Sequence, residues 1–185
     1  GVKGCIVGKI QSVLRPDVEF IAAHPMAGRE QSGIEFADSS IFKVANYIVT
    51  PTEKNSKEAV SLCRDLGETL GFARISELSP DRHDEIIAFL SQLTHCIAVC
   101  LMCSSDDHGL VNYTGDSFRD LTRIARINDE MWSELFLDNK TALLKQMEIF
   151  KVGFDKMYTA VKNGDREGLR EMMKTSTERR GWFDR

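Results

Sequence analysis

Cations are not in excess in this 185-residue chain: 24 Lys and Arg stand against 28 Asp and Glu, for a net charge of −4. A phosphate-backbone binder would show a basic face, so nucleic acid is not an expected partner. Long apolar runs are scarce too. The segment around Ile97 to Met102 falls short of the ~20 residues that span a bilayer, and no charged-then-apolar signal segment opens the chain. Neither a membrane span nor a readable export signal is expected. Cysteine is sparse and odd in number, five in all, with Cys96, Cys100 and Cys103 inside one apolar stretch. That excludes a disulfide framework and suggests reduced, buried thiols in a cytoplasmic setting. With four prolines, 42% hydrophobic and 28% charged residues, the disordered and collagenous classes are excluded as well. What remains is a chain able to bury roughly 70% of the surface its unfolded form exposes, as one domain or two small ones.

Gly1-Val2-Lys3-Gly4 is turn-like and runs straight into Cys5, Ile6, Val7, Ile10, Val13 and Leu14 at helical spacing, which is not how a domain usually opens. Sequence upstream of it is expected. Arg15-Pro16-Asp17 ends that helix, because proline disfavours helical geometry in the residue before it. Glu19 to Ala23 then reads as a short buried strand with His24 at its end, and Asn46 to Thr50 as a second strand closed by Pro51. Ser56 to Leu70 is a helix with Ala59, Val60, Leu62, Cys63 and Leu66 on its apolar side, stopped by Gly71. Beyond Ser79-Pro80 only helices are legible, so a boundary is expected near residues 72 to 80. One long helix follows Pro80 through Leu101, and a short one spans Phe118 to Ile127. A second long helix, capped by Asn128-Asp129, carries apolar residues from Met131 to Val161. Asn163-Gly164 stops it, and a last helix capped by Asp165 turns Leu169, Met172 and Met173 inward. The expected organisation is an α/β portion over residues 1–75 and an all-α portion over 76–185.

Three constellations invite chemistry. His24-Pro25-Met26-Ala27-Gly28-Arg29-Glu30-Gln31-Ser32-Gly33 directly follows a buried strand. Ligands of open α/β sheets sit outside the carboxyl ends of strands, and a histidine there suits proton exchange near neutrality; a plain loop histidine between turn glycines fits the pattern equally. Arg119 and Arg123, four apart, share a helix face that either meets an anion or pairs with Asp116, Asp120 or Asp129. His83 and His95 are twelve apart, about 120° different in direction, so they make no i, i+4 metal pair, and no metal is expected. Cys100-x-x-Cys103 lies near a helix C-terminus, where the dipole disfavours thiolate, and reads as core packing.

The first of these segments resembles the H-P-x-A-G-x-E-x-S-G hallmark of prephenate dehydrogenases. Ser79-Pro80-x-x-His83-Asp84, Ser91-x-Leu93-x-His95, Phe118-Arg119-Asp120-x-Thr122-Arg123-Ile124-Ala125 and Met131-Trp132 through Asn139-Lys140 follow in that family's order. The resemblance implies an α/β remnant of a Rossmann-type nucleotide-binding domain followed by an all-α helical dimerisation domain. It further implies NAD- or NADP-dependent oxidative decarboxylation of prephenate to 4-hydroxyphenylpyruvate in tyrosine biosynthesis, or of arogenate to tyrosine, with tyrosine as a plausible feedback inhibitor. In that scheme His24 is the catalytic base, Arg123 binds a substrate carboxylate, His95 helps to position the substrate, and the protein is a homodimer. No G-x-G-x-x-G follows a strand here, so most of the cofactor site is expected upstream. Gly1 stands where the family has a serine beside the catalytic histidine, and Gln92 where some members carry another histidine. The alternative reading is a non-catalytic helical dimerisation or regulatory module.

Overall fold

A computed structural model describes residues 1–28 and 33–184. Arg29, Glu30, Gln31 and Ser32 of the first segment lie outside the described residues. Two compact units divide the chain at Leu143/Leu144. The first opens with helix α1 (Val7–Val13), followed by strands β1 (Ala22–Pro25) and β2 (Asn46–Thr50), helix α2 (Lys57–Thr69) and strand β3 (Arg74–Glu77). The sheet order is β1-β2-β3, antiparallel then parallel, with α2 as the crossover of the parallel pair. Strand β1 starts later than expected. His24 is therefore inside it, paired with Ile48, rather than beyond its end.

The core of this layer follows from β2, whose residues Tyr47 to Thr50 are all buried. Tyr47 stacks on Phe72 at 4.8 Å between ring centres, and its hydroxyl meets Cys63 Sγ at 3.6 Å. Helix α2 is capped by Ser56, as its sequence indicates, but it buries Cys63 and Gly67 and leaves Leu62 and Leu66 exposed. The inward line is thus narrower than the apolar residues of α2 suggest, because it is set by the close approach of Gly67 to Tyr47. Gly71 has φ +81°, the left-handed geometry that ends the helix.

Ser79 caps helix α3 (Pro80–Ile87), with Pro80 at its first position, and a π-helical turn over Ala88–Leu93 leads into α4 (Thr94–Met102). The π turn makes the simple 3.6-residue arithmetic between His83 and His95 inapplicable. The stretch Pro80–Met102 is long enough to cross a membrane, and its most apolar 18-residue window has mean hydropathy 1.7, although no uninterrupted apolar run in it is that long. Cys100 and Cys103 are exposed, not packed in a core. Helix α5 (Asp116–Thr122) passes into a 3-10 turn at Arg123–Ala125, which packs on α4.

The long helix expected from Asn128 is two, α6 (Asp129–Asp138) and α7 (Lys140–Lys162). Asn139 breaks it. Its buried side-chain amide donates to the Asp84 carbonyl at 2.9 Å and to Gln92 Oε1 at 2.7 Å, while Gln92 Nε2 donates to the Leu135 carbonyl at 2.8 Å. These bonds tie α3 and the π turn to the α6–α7 junction, so backbone regularity gives way to side-chain satisfaction. In the second unit, α7 ends at Lys162, Gly164 (φ +66°) turns the chain, and Asp165 caps α8 (Arg166–Gly181) by accepting from the Gly168 N–H. Leu169 and Met172 are half-buried there, whereas Met173 is exposed.

Candidate active site

Three segments far apart in sequence converge at His24. Strand β1 holds its ring, the first turn of α3 supplies His83 and Asp84, and the opening turn of the chain lies over them. His24 Nδ1 is 2.7 Å from His83 Nε2, and His83 Nδ1 is 2.7 Å from Asp84 Oδ1. His83 is fully buried. The Asp84 carboxylate also accepts the Lys3 N–H at 2.8 Å and the Gly4 N–H at 2.7 Å, which docks the opening turn onto α3. Gly1 nitrogen is 3.4 Å from His24 Nε2, so position 1 does face the histidine. Lys3 Nζ donates to the Gly1 carbonyl at 2.9 Å.

Electrostatics follow from this packing. Burial is the main reason that the His24 pKa falls from 6.5 to about 3, helped by neighbouring positive charge, Lys3 included, and by His83, against the pull of Asp84. The ring is uncharged at neutral pH. Burial pushes the Asp84 carboxyl up, but the bonds from His83, Gly4 and Lys3 outweigh it, and the net shift is down. Asp84 is therefore an ion at neutral pH. Burial lowers the Lys3 pKa, partly offset by Asp84.

The other two expected site residues lie on a different part of the same unit. His95 is half-buried on α4, its Nδ1–H donating to the Ser91 carbonyl at 2.8 Å and its ring stacked on Trp132 at 3.8 Å. Arg123 is exposed at the start of the 3-10 turn against that helix. Arg119 is a different case: it pairs with Asp116 at 2.6 Å and donates to the Thr114 carbonyl, the solvated arrangement foreseen as one alternative. Composition and periodicity gave no reason to group His83, Asp84 and Lys3 with His24. The adjacent His-Asp pair just after a Ser-Pro helix start was the available signal.

Dinucleotide cofactors rest their pyrophosphate on open helix N-termini. Both helices that follow a strand here cap themselves, Ser56 accepting from the Ala59 N–H and Ser79 from the Arg82 N–H. The α2 start also holds the Glu19 carboxylate, which accepts the Ser56 N–H at 2.7 Å. The described residues do not fit a pyrophosphate.

A family model described as "Prephenate dehydrogenase, nucleotide-binding domain" matches residues 1–76, and one described as "Prephenate dehydrogenase, dimerization domain" matches 79–175. The chain belongs to the prephenate dehydrogenase family. It is 33% identical over 180 residues to a prephenate dehydrogenase of Bacillus subtilis, covering 95% of this chain and 48% of that protein. Prephenate dehydrogenase from Aquifex aeolicus in complex with hydroxyphenyl propionate and NAD+ superposes with a TM-score of 0.87 at 30% identity, over 99% of this chain and 65% of that one. Synechocystis arogenate dehydrogenase gives 0.83 at 26% identity, over 98% and 66%. The chain thus spans about half the length of the Bacillus relative and about two thirds of the solved ones. Within this chain the two matched regions meet where the His24–His83 bond crosses from one to the other.

Proposed function

We propose that this chain carries the proton-handling and substrate-holding residues of an NAD-type prephenate dehydrogenase, acting on prephenate or arogenate in tyrosine biosynthesis as a cytoplasmic homodimer. Residues 1–75 form the end of the nucleotide-binding domain and 76–185 the helical domain. The observation that carries the reading is His24: an uncharged imidazole on β1, in hydrogen-bonded line with a buried histidine and a carboxylate. Oxidative decarboxylation removes a hydride from the ring carbon that bears the hydroxyl and carbon dioxide from the opposite carbon. The hydroxyl proton must leave too, and a neutral imidazole within hydrogen-bond reach accepts it. Arg123 binds a substrate carboxylate as a charge-assisted partner, and His95, braced by Trp132, positions the substrate. The cofactor's phosphates are held by residues other than those described.

The test is steady-state kinetics of the whole protein with prephenate and NAD+. His24→Asn lowers kcat by ~10²-fold or more with cofactor affinity nearly unchanged, as loss of a general base requires. Arg123→Ala raises KM by ~10-fold or more, the usual cost of a lost ionic hydrogen bond. A near-normal kcat in the first variant across the pH range removes the base assignment, and an unaltered KM in the second moves the carboxylate site elsewhere.

A further inference from the structure

We infer that Asp84 and His83 are positioning residues that hold His24 in a single tautomer, with its proton on Nδ1 and its lone pair on Nε2; this rests on reading His24 as the proton acceptor. The direction of the hydrogen bonds is set by the carboxylate that ends the line. The Asp84 carboxylate can only accept, and it already takes the Lys3 and Gly4 N–H groups, so His83 Nδ1 must donate to it. In the neutral His83 ring the single proton is spent there, Nε2 presents a lone pair, and the atom facing it at 2.7 Å, His24 Nδ1, donates. The sense of the whole line thus follows from the carboxylate.

A histidine's tautomer follows from the bond its other nitrogen makes. In the opposite tautomer Nε2 carries a hydrogen and cannot take up another proton. When His24 does take one up, its positive charge is compensated through His83 by the Asp84 anion, with Lys3 as the opposing cation nearby. In this role the pair acts only through His24. Asn139, which holds the Asp84 carbonyl, and the Ser79 cap fix where α3 presents the pair.

Two-bond 1H–15N correlation spectra of the 15N-histidine-labelled chain read the tautomer directly, and kinetics of the whole protein read its consequence. Wild-type His24 is expected as the Nδ1–H form. Asp84→Asn and His83→Leu shift it toward Nε2–H and lower kcat by ~10²-fold or more with KM changed less than ~3-fold, as wrong-tautomer variants of histidine bases do. His83→Gln places an amide oxygen where Nε2 stood, keeps the His24 tautomer, and restores kcat to within ~10-fold of wild type. If Asp84→Asn disturbs folding through its bonds to Lys3 and Gly4, the His83→Leu and His83→Gln pair decides alone. An Nε2–H form in the wild type, or a tautomer indifferent to both His83 variants, overturns the positioning role whatever the reaction. A shifted tautomer with unchanged kcat instead overturns the reading of His24 as the base.

Discussion

A histidine kept neutral by its surroundings affects stability as well as chemistry. Burial is the largest cause of the low His24 pKa, and the folded value of about 3 compares with 6.5 for the exposed ring. Between those values the unfolded chain binds a proton that the folded chain refuses, so stability rises with pH across that window and falls as pH drops from about 6.5 toward about 3. Asp84, whose pKa is depressed, acts in the same direction lower down, its contribution lost as pH falls through its folded value. Urea unfolding of the chain should therefore give a lower midpoint at about pH 5 than at about pH 7.5, and His24→Gln should flatten that difference. Equal midpoints at both pH values in the wild type would rule out a half-buried ring kept neutral. His24 stood out in the sequence because a histidine, proline and glycines after an apolar strand form a local pattern. His83 and Asp84 did not, because their value lies in a contact across 59 residues that no spacing rule encodes. His95 and Arg123 were legible only as types of side chain; what each faces was not.

At the scale of elements, the sequence was most informative where one local signal decides the outcome. Strand β2 and the Ser56, Ser79, Asn128 and Asp165 caps are of that kind, each cap accepting from the N–H three residues on. Legibility failed where tertiary satisfaction overrides the local pattern. Asn139 sits in an unbroken apolar periodicity, yet its buried amide serves Asp84 and Gln92, and the helix ends there. The four-residue edge strand β3 has no alternation strong enough to notice. Gly67 shows a conflict of the same sort in measurable form. Alanine in mid-helix gains up to ~1 kcal/mol of intrinsic propensity over glycine. Here, however, an added Cβ would lie 2.7 Å from Tyr47 Cδ1 and 3.0 Å from Ile75 Cδ1, and the Tyr47 ring is itself stacked on Phe72. Overpacking of that kind costs ~1–3 kcal/mol, so Gly67→Ala should destabilise the chain on balance by ~1 kcal/mol or more in urea unfolding. A variant as stable as wild type would mean that α2 stands off from β2.

For the whole molecule, the governing fact is how much apolar surface the single chain leaves uncovered. The stretch Pro80–Met102 has only 28% of its most apolar window buried. Met102 on α4 is 46% exposed, Leu121 on α5 52%, and Val152 on α7 70%. Surfaces of this kind rarely face water in a lasting way, and a second copy, a membrane or another partner must take them up. The helix that passes the length and composition test for a bilayer argues for the copy. Its buried His83, Asp84 and Gln92 are fully engaged in hydrogen bonds to β1, the opening turn and the α6–α7 junction, and insertion into lipid would break those bonds with nothing to replace them. The family match of this region to a dimerization domain points the same way. A twofold interface buries one patch against itself, and obligate ones typically cover ~2,000 Å² or more with side chains such as these. The isolated chain should sediment as a dimer at low micromolar concentration, unchanged by dilution and without affinity for neutral or anionic vesicles. Calorimetry should detect no nicotinamide dinucleotide binding, since both strand-following helices already cap themselves. A folded monomer, or flotation with vesicles, would overturn the dimer, while a measurable heat of dinucleotide binding would show that a phosphate cradle exists among residues that here satisfy their own N–H groups.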